Sequence, residues 1–405
     1  MKTINTWAAA CLGAAGLLLA QAPPTRQGRY WAQTITGSAP VPPGGRLQVL
    51  ASAEVSLRGE KRSDVAYWLT KRIPEEKEAV ARRQLEQLRL ETFRRGDTLV
   101  LSLGRPVGSR CEAWLRLSVP KNLRQVHIAS QAGSIEVEDL AGGLDAETGA
   151  GHIRIAGLEG ALAARTGGGS VWLEAINGSV RCISGGGRIT AQRLAGAATL
   201  ITAGGEVAVR EATGRLQVRS GGGNIRVEKA ASLEAVTAGG SIEVLEASGP
   251  VRAETGAGAI RVRGARGLQA GTASGTIQLD NVSGAVQALA GLGQLLVRLA
   301  GPIEDSRLST GAGDITVFIP SNLAVNVEAL SQASPRPRIL SEFPEIKLLP
   351  RAQAVQARGS LNGGGPRLRL SASGGTIHLR KVAAAGLNES TEAWRREGAN
   401  GEARR

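Results

Sequence analysis

The chain has 405 residues and a formal net charge of +14, with 49 Lys and Arg against 35 Asp and Glu. Aromatic residues make up 3% of the composition, so stacking platforms for single-stranded nucleic acid or for sugars are scarce. The 55 glycines exclude a mainly helical protein, because glycine is among the poorest helix formers.

Residues 1–22 have the composition of a secretory signal peptide. Lys2 precedes an apolar run over residues 7–20, and Ala20-Gln21-Ala22 matches an A-x-A cleavage site. Cys11 lies inside the apolar run, which argues against a lipoprotein cysteine. No later apolar run is long enough to span a membrane. We therefore expect export, with no transmembrane anchor after signal cleavage.

Residues 23–45 are rich in Pro and Gly and are predicted to be a flexible leader. Residues 46–130 are predicted to be a β-rich cap that shields the first coil of the array described next. The cap contains one helix over residues 74–95, which opens at Pro74 and carries acidic residues early and basic residues late. Its strands are predicted over residues 47–57, 99–103 and 114–119.

Residues 131–320 are predicted to form a repeat array, because a glycine opens a similar phrase about every 18 residues. A single globular core does not require such spacing, whereas a stack of equivalent coils does. The anchor glycines follow one another at steps of 17 to 20 residues: Gly133, Gly151, Gly169, Gly187, Gly205, Gly223, Gly240, Gly258, Gly275, Gly293 and Gly313.

Each phrase holds two stretches in which apolar and polar residues alternate with the period of a β-strand, as at Ile153 and Ile155 and again at Leu162 and Ala164. Gly-rich turns such as residues 184–187 are expected to supply positive φ angles. The prediction is an all-β fold: a single-chain β-solenoid, like a parallel β-helix or β-roll, of about 10–11 coils with an 18-residue period. The strand–helix–strand segment caps its N-terminal end.

A regular column of hydroxyl side chains stands three residues before the anchor glycines, with Ala290 as its one break. One interpretation is an exposed ladder that binds ice or glycan. We favour the other, in which the column points inward and bonds to turn backbone groups. Its members are Ser130, Thr148, Thr166, Ser184, Thr202, Ser220, Thr237, Thr255, Thr272 and Thr310.

After Pro320 the repeat loses its period. Residues 321–382 are predicted to be closing strands with a long loop, and residues 363–382 restore the phrase once as a closing coil. Residues 383–405 hold few large apolar side chains and four charges of each sign, so a disordered tail is expected.

The positive charge is concentrated outside the array. Residues 133–319 hold 16 Lys and Arg against 18 Asp and Glu, residues 46–130 hold 17 against 10, and residues 320–385 hold 9 against 3. Along the array, outward charges alternate in sign, which suits cross-strand pairing and not a phosphate track. We expect that the protein binds no specific nucleic acid. An anionic envelope glycan or lipid headgroups would meet the basic flanks, unless this charge serves only solubility.

Few residues carry the patterns of known chemistry. The three histidines are far apart in sequence, and no Cys spacing suits zinc, so no metal or cofactor is expected. Cys111 and Cys182 are predicted to be separate buried thiols. A carbohydrate-active β-helix would need clustered acids and bases. The nearest approach, and the candidate ligand-facing surface, is an outward set on adjacent coils: His152, Arg154, Trp172 and Glu174. The alternative is plain surface.

Residues 119–123, Val-Pro-Lys-Asn-Leu, lead into Gly133-Ser-Ile-Glu-Val137 and its repeats, and a related phrase closes residues 363–377. These phrases resemble the bacterial exported putative-adhesin family, a domain of unknown function built of β-strand repeats. The resemblance covers about residues 46–382. It implies a β-solenoid at the envelope or outside the cell and no established catalytic residues.

The sequence therefore predicts a non-enzymatic, exported β-solenoid that acts as a cell-envelope interaction or adhesion module. It would reside in the periplasm, at the outer envelope surface or outside the cell. Two alternatives stay open. One is a structural protein that self-associates end to end, since solenoid edges can stack. The other is a carbohydrate-active β-helix enzyme.

Overall fold

The computed structural model describes residues 20–21, 23–104, 110–332, 338–351 and 353–383. It is a nearly all-β solenoid of about 11 turns with an 18-residue period and one short helix, so the predicted fold class is confirmed. The chain divides into two compact units, one of residues 1–169 and 176–178 and the other of residues 170–175 and 179–405. Apart from residues 20–21 and 383, the predicted signal peptide and tail lie outside the described residues.

The first unit contains the helix α1 (Glu78–Gln87) and the following strands: β1 (Ala20–Gln21), β2 (Thr25–Gln27), β3 (Tyr30–Pro40), β4 (Arg46–Ala51), β5 (Glu54–Glu60), β6 (Asp64–Pro74), β7 (Leu90–Arg95), β8 (Thr98–Leu103), β9 (Glu112–Pro120), β10 (Gln125–Ser130), β11 (Ile135–Ala141), β12 (Gly143–Thr148), β13 (Ile153–Glu159) and β14 (Leu162–Thr166).

The later strands are β15 (Val171–Asn177), β16 (Val180–Ser184), β17 (Ile189–Ala195), β18 (Ala198–Thr202), β19 (Val207–Ser220), β20 (Ile225–Thr237), β21 (Ile242–Ala247), β22 (Val251–Thr255), β23 (Ile260–Val262), β24 (Ala265–Ser274), β25 (Ile277–Leu292), β26 (Leu295–Ile303), β27 (Ser306–Ala312), β28 (Ile315–Pro320), β29 (Val325–Ser331), β30 (Ile339–Ser341), β31 (Lys347–Arg351), β32 (Ala354–Leu361), β33 (Arg367–Ala372) and β34 (Ile377–Val382).

In the first unit the stack of coils begins before the repeat is visible in the sequence. Strands β10 and β11 pair in parallel with β12 and β13 on one side and with β4 and β5 on the other. Strands β8 and β9 pair in turn with β4 and β5. The coil of β4 and β5 therefore lies between two coils that follow it in the chain. The array predicted to start at residue 131 has neighbours of the same geometry in residues 46–120.

The prediction of a flexible leader over residues 23–45 is wrong for most of that segment. Strand β3 pairs antiparallel with β6 along its whole length, from Tyr30 opposite Pro74 to Pro40 opposite Asp64. Trp31 and Ile35 are buried. Strand β6 pairs antiparallel with β9, so β3 and β6 extend one sheet beyond the coils. Burial of alternate side chains and the long ladder of hydrogen bonds outweigh the local turn signals.

The helix is shorter than the predicted 74–95. It runs from Glu78 to Gln87, while Pro74 ends β6 and residues 90–95 form β7, antiparallel to β8. Ala81 and Leu85 of the helix and Leu88 directly after it are buried. The end of the helix is fixed by Lys71, whose Nζ donates hydrogen bonds to the carbonyl oxygens of Leu85 at 2.7 Å and Leu88 at 2.9 Å. Both acceptors lie at the C-terminus of the helix, where carbonyl groups lack their regular helical partners, and the Leu85 oxygen also accepts a hydrogen bond from the backbone N–H of Leu88 at 3.3 Å.

In the second unit the coils stack in parallel, in register apart from a few irregularities such as that between Ala212 and Arg215, with Val, Ile, Leu and Ala in the buried columns. The predicted closing coil, β33 and β34, is not the last in the stack. It pairs with β27 and β28 on one side and with β29 and β30 on the other. Strands β32 and β31 then add to β29 in antiparallel order. The prediction had no means of placing β29, which precedes this coil in the chain.

The anchor glycines are required by close approach between coils. A Cβ atom on Gly223 would overlap the carbonyl oxygen of Gly205, and one on Gly258 would overlap that of Gly240. Positive φ, the reason expected from the sequence, occurs at only some glycines, such as Gly160 and Gly196. At most anchor positions glycine therefore serves to let one backbone lie against the next.

The hydroxyl column is internal. Thr202 Oγ1 donates to the carbonyl oxygen of Gly187 at 3.0 Å and accepts a hydrogen bond from the backbone N–H of Gly205 at 3.1 Å. Thr255 makes the equivalent bonds with Gly240 and Gly258. Each hydroxyl of this kind ties one anchor glycine to that of the preceding coil. The favoured interpretation is confirmed, and the exposed ladder is wrong.

Replacing an anchor glycine tests the close approach. We expect Gly223→Ala to lower the free energy of unfolding by about 3 kcal/mol, because the clashing atom is backbone and cannot rotate away. Gly222→Ala is the matched control, since nothing lies within 4 Å of its Cβ position. Urea unfolding followed by circular dichroism measures both. Equal midpoints for the two variants would show that the anchor column tolerates a side chain.

Replacing a column hydroxyl tests the internal bonds. Thr202→Val keeps the shape but leaves two buried backbone groups without their partner, so we expect a loss of about 2 kcal/mol in the free energy of unfolding. Thr199→Val, on the same strand but in an outward column, should change it by less than about 0.5 kcal/mol. The same urea titration distinguishes them, and a neutral Thr202→Val would contradict the internal role.

Burial lowers the pKa of Lys71 below its usual 10.5, an effect that the nearby Cys111 and Glu86 charges partly offset. Between the lowered value and 10.5 the unfolded chain binds more protons than the folded chain, so the free energy of unfolding rises with pH. Wild-type protein should gain stability relative to Lys71→Met as pH rises through this window. Exposed Lys61→Met is the control. Parallel stability curves for wild type and Lys71→Met would refute the lowered pKa.

Candidate interaction surfaces

The four residues of the predicted ligand-facing surface lie on two units. His152 and Arg154 belong to the first unit, where Arg154 Nε lies 3.3 Å from Glu136 Oε1. Trp172 and Glu174 lie on β15 in the second unit, where Glu174 Oε1 is 3.8 Å from an Arg193 guanidinium nitrogen. Both charged members therefore take part in ion pairs between strand neighbours. Their action together as one surface stays a prediction.

A His–Asp pair in the first unit was missed from the sequence. His127 Nδ1 lies 3.2 Å from Asp145 Oδ2, and both side chains are about one-third exposed. They occupy the same outward column on paired strands β10 and β12. The column's flanking positions are Gln48 and Ala163, neither of which is a nucleophile. The 18-residue spacing of His127 and Asp145 is the signal that could have found it.

The outward columns of the second unit are polar and largely paired. Arg226 donates to Glu243 at 2.8 Å, and Glu234 faces both Arg215 and Arg219. A shallow concavity of about 570 Å³ lies over this region, with Glu234 and Arg252 in its lining. Its lining carries Arg215 and Arg252 against Glu234, so its net charge is only slightly positive.

Aromatic side chains gather on one face of the first unit. Outward positions of the antiparallel strands β3, β6 and β9 carry Tyr30, Trp68 and Trp114 together with Arg72 and Arg116. We call these five residues the aromatic face. The opposite side of β3 and β6 packs on α1, so the face is the solvent side of a covered sheet. The scarcity of aromatic residues in the composition gave no hint of this concentration.

Arg72 contacts both neighbouring rings at the centre of the aromatic face. The Arg72 guanidinium carbon lies 4.6 Å from the ring centroid of Tyr30 and 4.8 Å from that of Trp114, within the range of cation–π contacts. Arg72 Nε also donates to Glu112 Oε2 at 2.6 Å. At the edge, Arg29 donates to the Tyr30 hydroxyl at 2.8 Å. Arg116 makes no ion pair with any described residue.

The described residues show little that would suit a metal site, a reactive thiol or a membrane-spanning helix. Within the described ranges, no group of three His, Cys, Asp or Glu side chains is placed to hold a metal ion. Cys111 and Cys182 are buried thiols and not partners in a disulfide, as predicted. Burial raises the pKa of Cys182 to about 12, which makes its thiol unreactive at neutral pH. Of the helices in the described part of the chain, none is long and apolar enough to cross a membrane.

Several solved structures are similar to this chain. A putative lipid binding protein from Parabacteroides distasonis is 12% identical, with 70% of this chain and 96% of that chain covered and a TM-score of 0.25. A putative adhesin from Bacteroides fragilis is 13% identical, with 86% and 97% covered and a TM-score of 0.21. A putative cell adhesion protein from Clostridium sporogenes is 8% identical, with 86% and 99% covered and a TM-score of 0.15. Among curated proteins none matches the chain.

The family model described as Toastrack DUF4097 matches residues 46–263, which is more than half of the 405 residues. The match begins at Arg46, the residue at which β4 and the family resemblance in the sequence both begin. The resemblance inferred from the repeat phrases is confirmed, and this chain belongs to the Toastrack DUF4097 family.

Proposed function

We propose that this protein is a non-enzymatic, exported interaction module of the cell envelope, and that its basic flanks contact an anionic envelope polymer or lipid headgroups. The observation that carries the proposal is the uneven charge. Residues 46–130 have a net charge of +7 (17 minus 10) and residues 320–385 of +6 (9 minus 3), whereas residues 133–319 have −2 (16 minus 18). Long-range attraction to a polyanion would therefore act through the flanks.

Ion pairs neutralise some of the array's arginines and leave others, such as Arg181, without an acidic partner among the described residues. Within the array, Arg188 pairs with Glu206 and Arg226 with Glu243, each between neighbouring coils. Several flank arginines, such as Arg83 and Arg94, are exposed and form no ion pair with a described residue. Charges that are already paired gain little from an external polyanion, because forming a new pair would break the existing one. The signal-peptide composition of residues 1–22 supports export.

Self-association is a second candidate, which an exposed edge favours. Strand β31 pairs only with β32 among the described strands, and it exposes Leu348 and Leu349. Leu340 on β30 is also exposed. Unpaired strand edges with apolar side chains are templates for pairing with another chain. A self-associating protein would sediment in the absence of any envelope material, which a ligand-free control detects.

The proposal predicts a salt-dependent interaction that rests on the flanks. Full-length mature protein should cosediment with peptidoglycan, lipopolysaccharide or vesicles containing phosphatidylglycerol, and binding should weaken as salt rises, because salt screens exposed charges. The triple variant Arg83→Gln, Arg94→Gln, Arg124→Gln should bind about tenfold more weakly at low salt, at roughly 0.5 kcal/mol per charge.

The matched control removes three exposed array arginines: Arg181→Gln, Arg210→Gln and Arg261→Gln. These side chains also form no ion pair with a described residue, so the loss of net charge is the same. Binding within about twofold of wild type is expected for this control, because the acidic side chains of the array cancel its positive potential and keep a polyanion away from it. Equal losses for both triple variants would show that net charge alone matters, and absence of binding to all three materials would overturn the proposal.

A further inference from the structure

We propose that the aromatic face is a glycan-binding platform, which takes an extended chain of sugar rings with acidic substituents. This inference rests on the proposed envelope function and names one site and one ligand class for it. The platform combines aromatic rings, guanidinium groups and hydroxyls on one solvent-facing sheet surface. Each of these groups matches a different part of a sugar.

The register of the strands sets the dimensions of the platform. Tyr30 lies opposite Pro74, Thr70 lies opposite Trp114, and Trp68 lies opposite Arg116. From the level of Tyr30 to the level of Trp68 is six residues along β6, or about 20 Å at roughly 3.4 Å per residue. The rings therefore form a staggered line, three strands wide, that is long enough for several consecutive sugars. A chain that lay over β6 would have Tyr30 of β3 on one side, Trp114 of β9 on the other, and Trp68 beneath it.

The chemistry of the line alternates between apolar and polar groups. A sugar ring presents C–H groups on its faces and hydroxyls at its edge, so it packs on an aromatic ring while its edge makes hydrogen bonds. Thr34 and Thr70 hydroxyls lie between the rings, 3.5 Å apart. Arg116 is exposed without an ion pair among the described residues, so it is available to an acidic substituent. Glu54, opposite Trp114 on β5, can accept hydrogen bonds from sugar hydroxyls.

A recess beside the line adds room for a substituent. An open concavity of about 300 Å³ is lined in part by Glu54, Glu112 and Trp114. The carboxylates of Glu54 and Glu112 would accept hydrogen bonds from the hydroxyl or amide groups of a sugar and would repel an anionic group. The recess therefore suits a polar side group of a glycan chain better than a phosphate.

The geometry favours a glycan over a lipid surface. The Arg72 guanidinium lies 4.6 and 4.8 Å from the centroids of Tyr30 and Trp114, so both rings pack against a charged group at the sheet surface. Rings that enter a bilayer interface must instead project beyond the polar groups around them. Preorganised rings also lose little conformational entropy on binding a rigid polymer.

The test is cosedimentation of the full-length chain with insoluble peptidoglycan, with phosphatidylglycerol vesicles as a parallel probe. We expect Trp68→Ala and Trp114→Ala each to weaken binding to peptidoglycan by about tenfold. Phe93→Ala is the matched control, because Phe93 on β7 is 39% exposed and Trp68 is 38% exposed, and Phe93 lies outside the aromatic face. Its binding should stay within twofold of wild type. Circular dichroism of each variant confirms folding.

The outcomes separate this inference from the proposed function. Losses confined to the two Trp variants support the platform. Unchanged peptidoglycan binding in both Trp variants overturns the platform. If that binding still weakens as salt rises, the basic flanks are the contact and the proposed function stands. Binding to vesicles but not to peptidoglycan also overturns the platform and keeps the proposed function. Absence of binding to either probe, and to lipopolysaccharide, overturns both.

Discussion

The structure depends on how closely one coil can lie against the next. At the anchor column the carbonyl oxygen of one glycine occupies the place where a Cβ of the following anchor would be, as between Gly205 and Gly223. Three residues earlier, a buried hydroxyl bonds to both anchor glycines, so the turn backbone is satisfied without water. This contact recurs about every 18 residues and fixes the register of the stacked strands. A slip of one residue would turn every inward side chain outward.

The repeated part of the fold could be predicted because its signals are local. Alternation around Ile153 and Ile155 has the strand period, and the parity of Thr166 places its hydroxyl inside. The reason for the anchor glycines could not be read in this way, since a sequence shows glycine equally for a positive φ and for a close approach. Strand β3 was missed because its partner β6 begins 24 residues after β3 ends, and no short-range sequence pattern indicates such a pairing. The end of α1 is likewise set by Lys71, from a strand before it.

The candidate surface was harder to predict than the fold. Tyr30, Trp68 and Trp114 come from three strands that only antiparallel pairing outside the repeat brings together. Composition averages over the chain, so it concealed a local concentration. The His127–Asp145 pair was within reach, because residues one period apart occupy one column on paired strands. It was missed because the histidines were compared only with one another.

At each end of the repeat, the order of the coils in the stack differs from their order in the chain. This difference limits where such a chain can gain or lose a coil. In the first unit β4 and β5 lie between coils made later in the chain, and in the second unit β33 and β34 lie inside β29 and β30, which precede them. A duplicated phrase in the interior meets equivalent neighbours on both sides and leaves these arrangements intact. A phrase added at either terminus would have to displace antiparallel strands that already cover the edge. We therefore expect a change in the number of coils to be tolerated in the middle of the chain and not at its two ends, where strands outside the repeat close the stack.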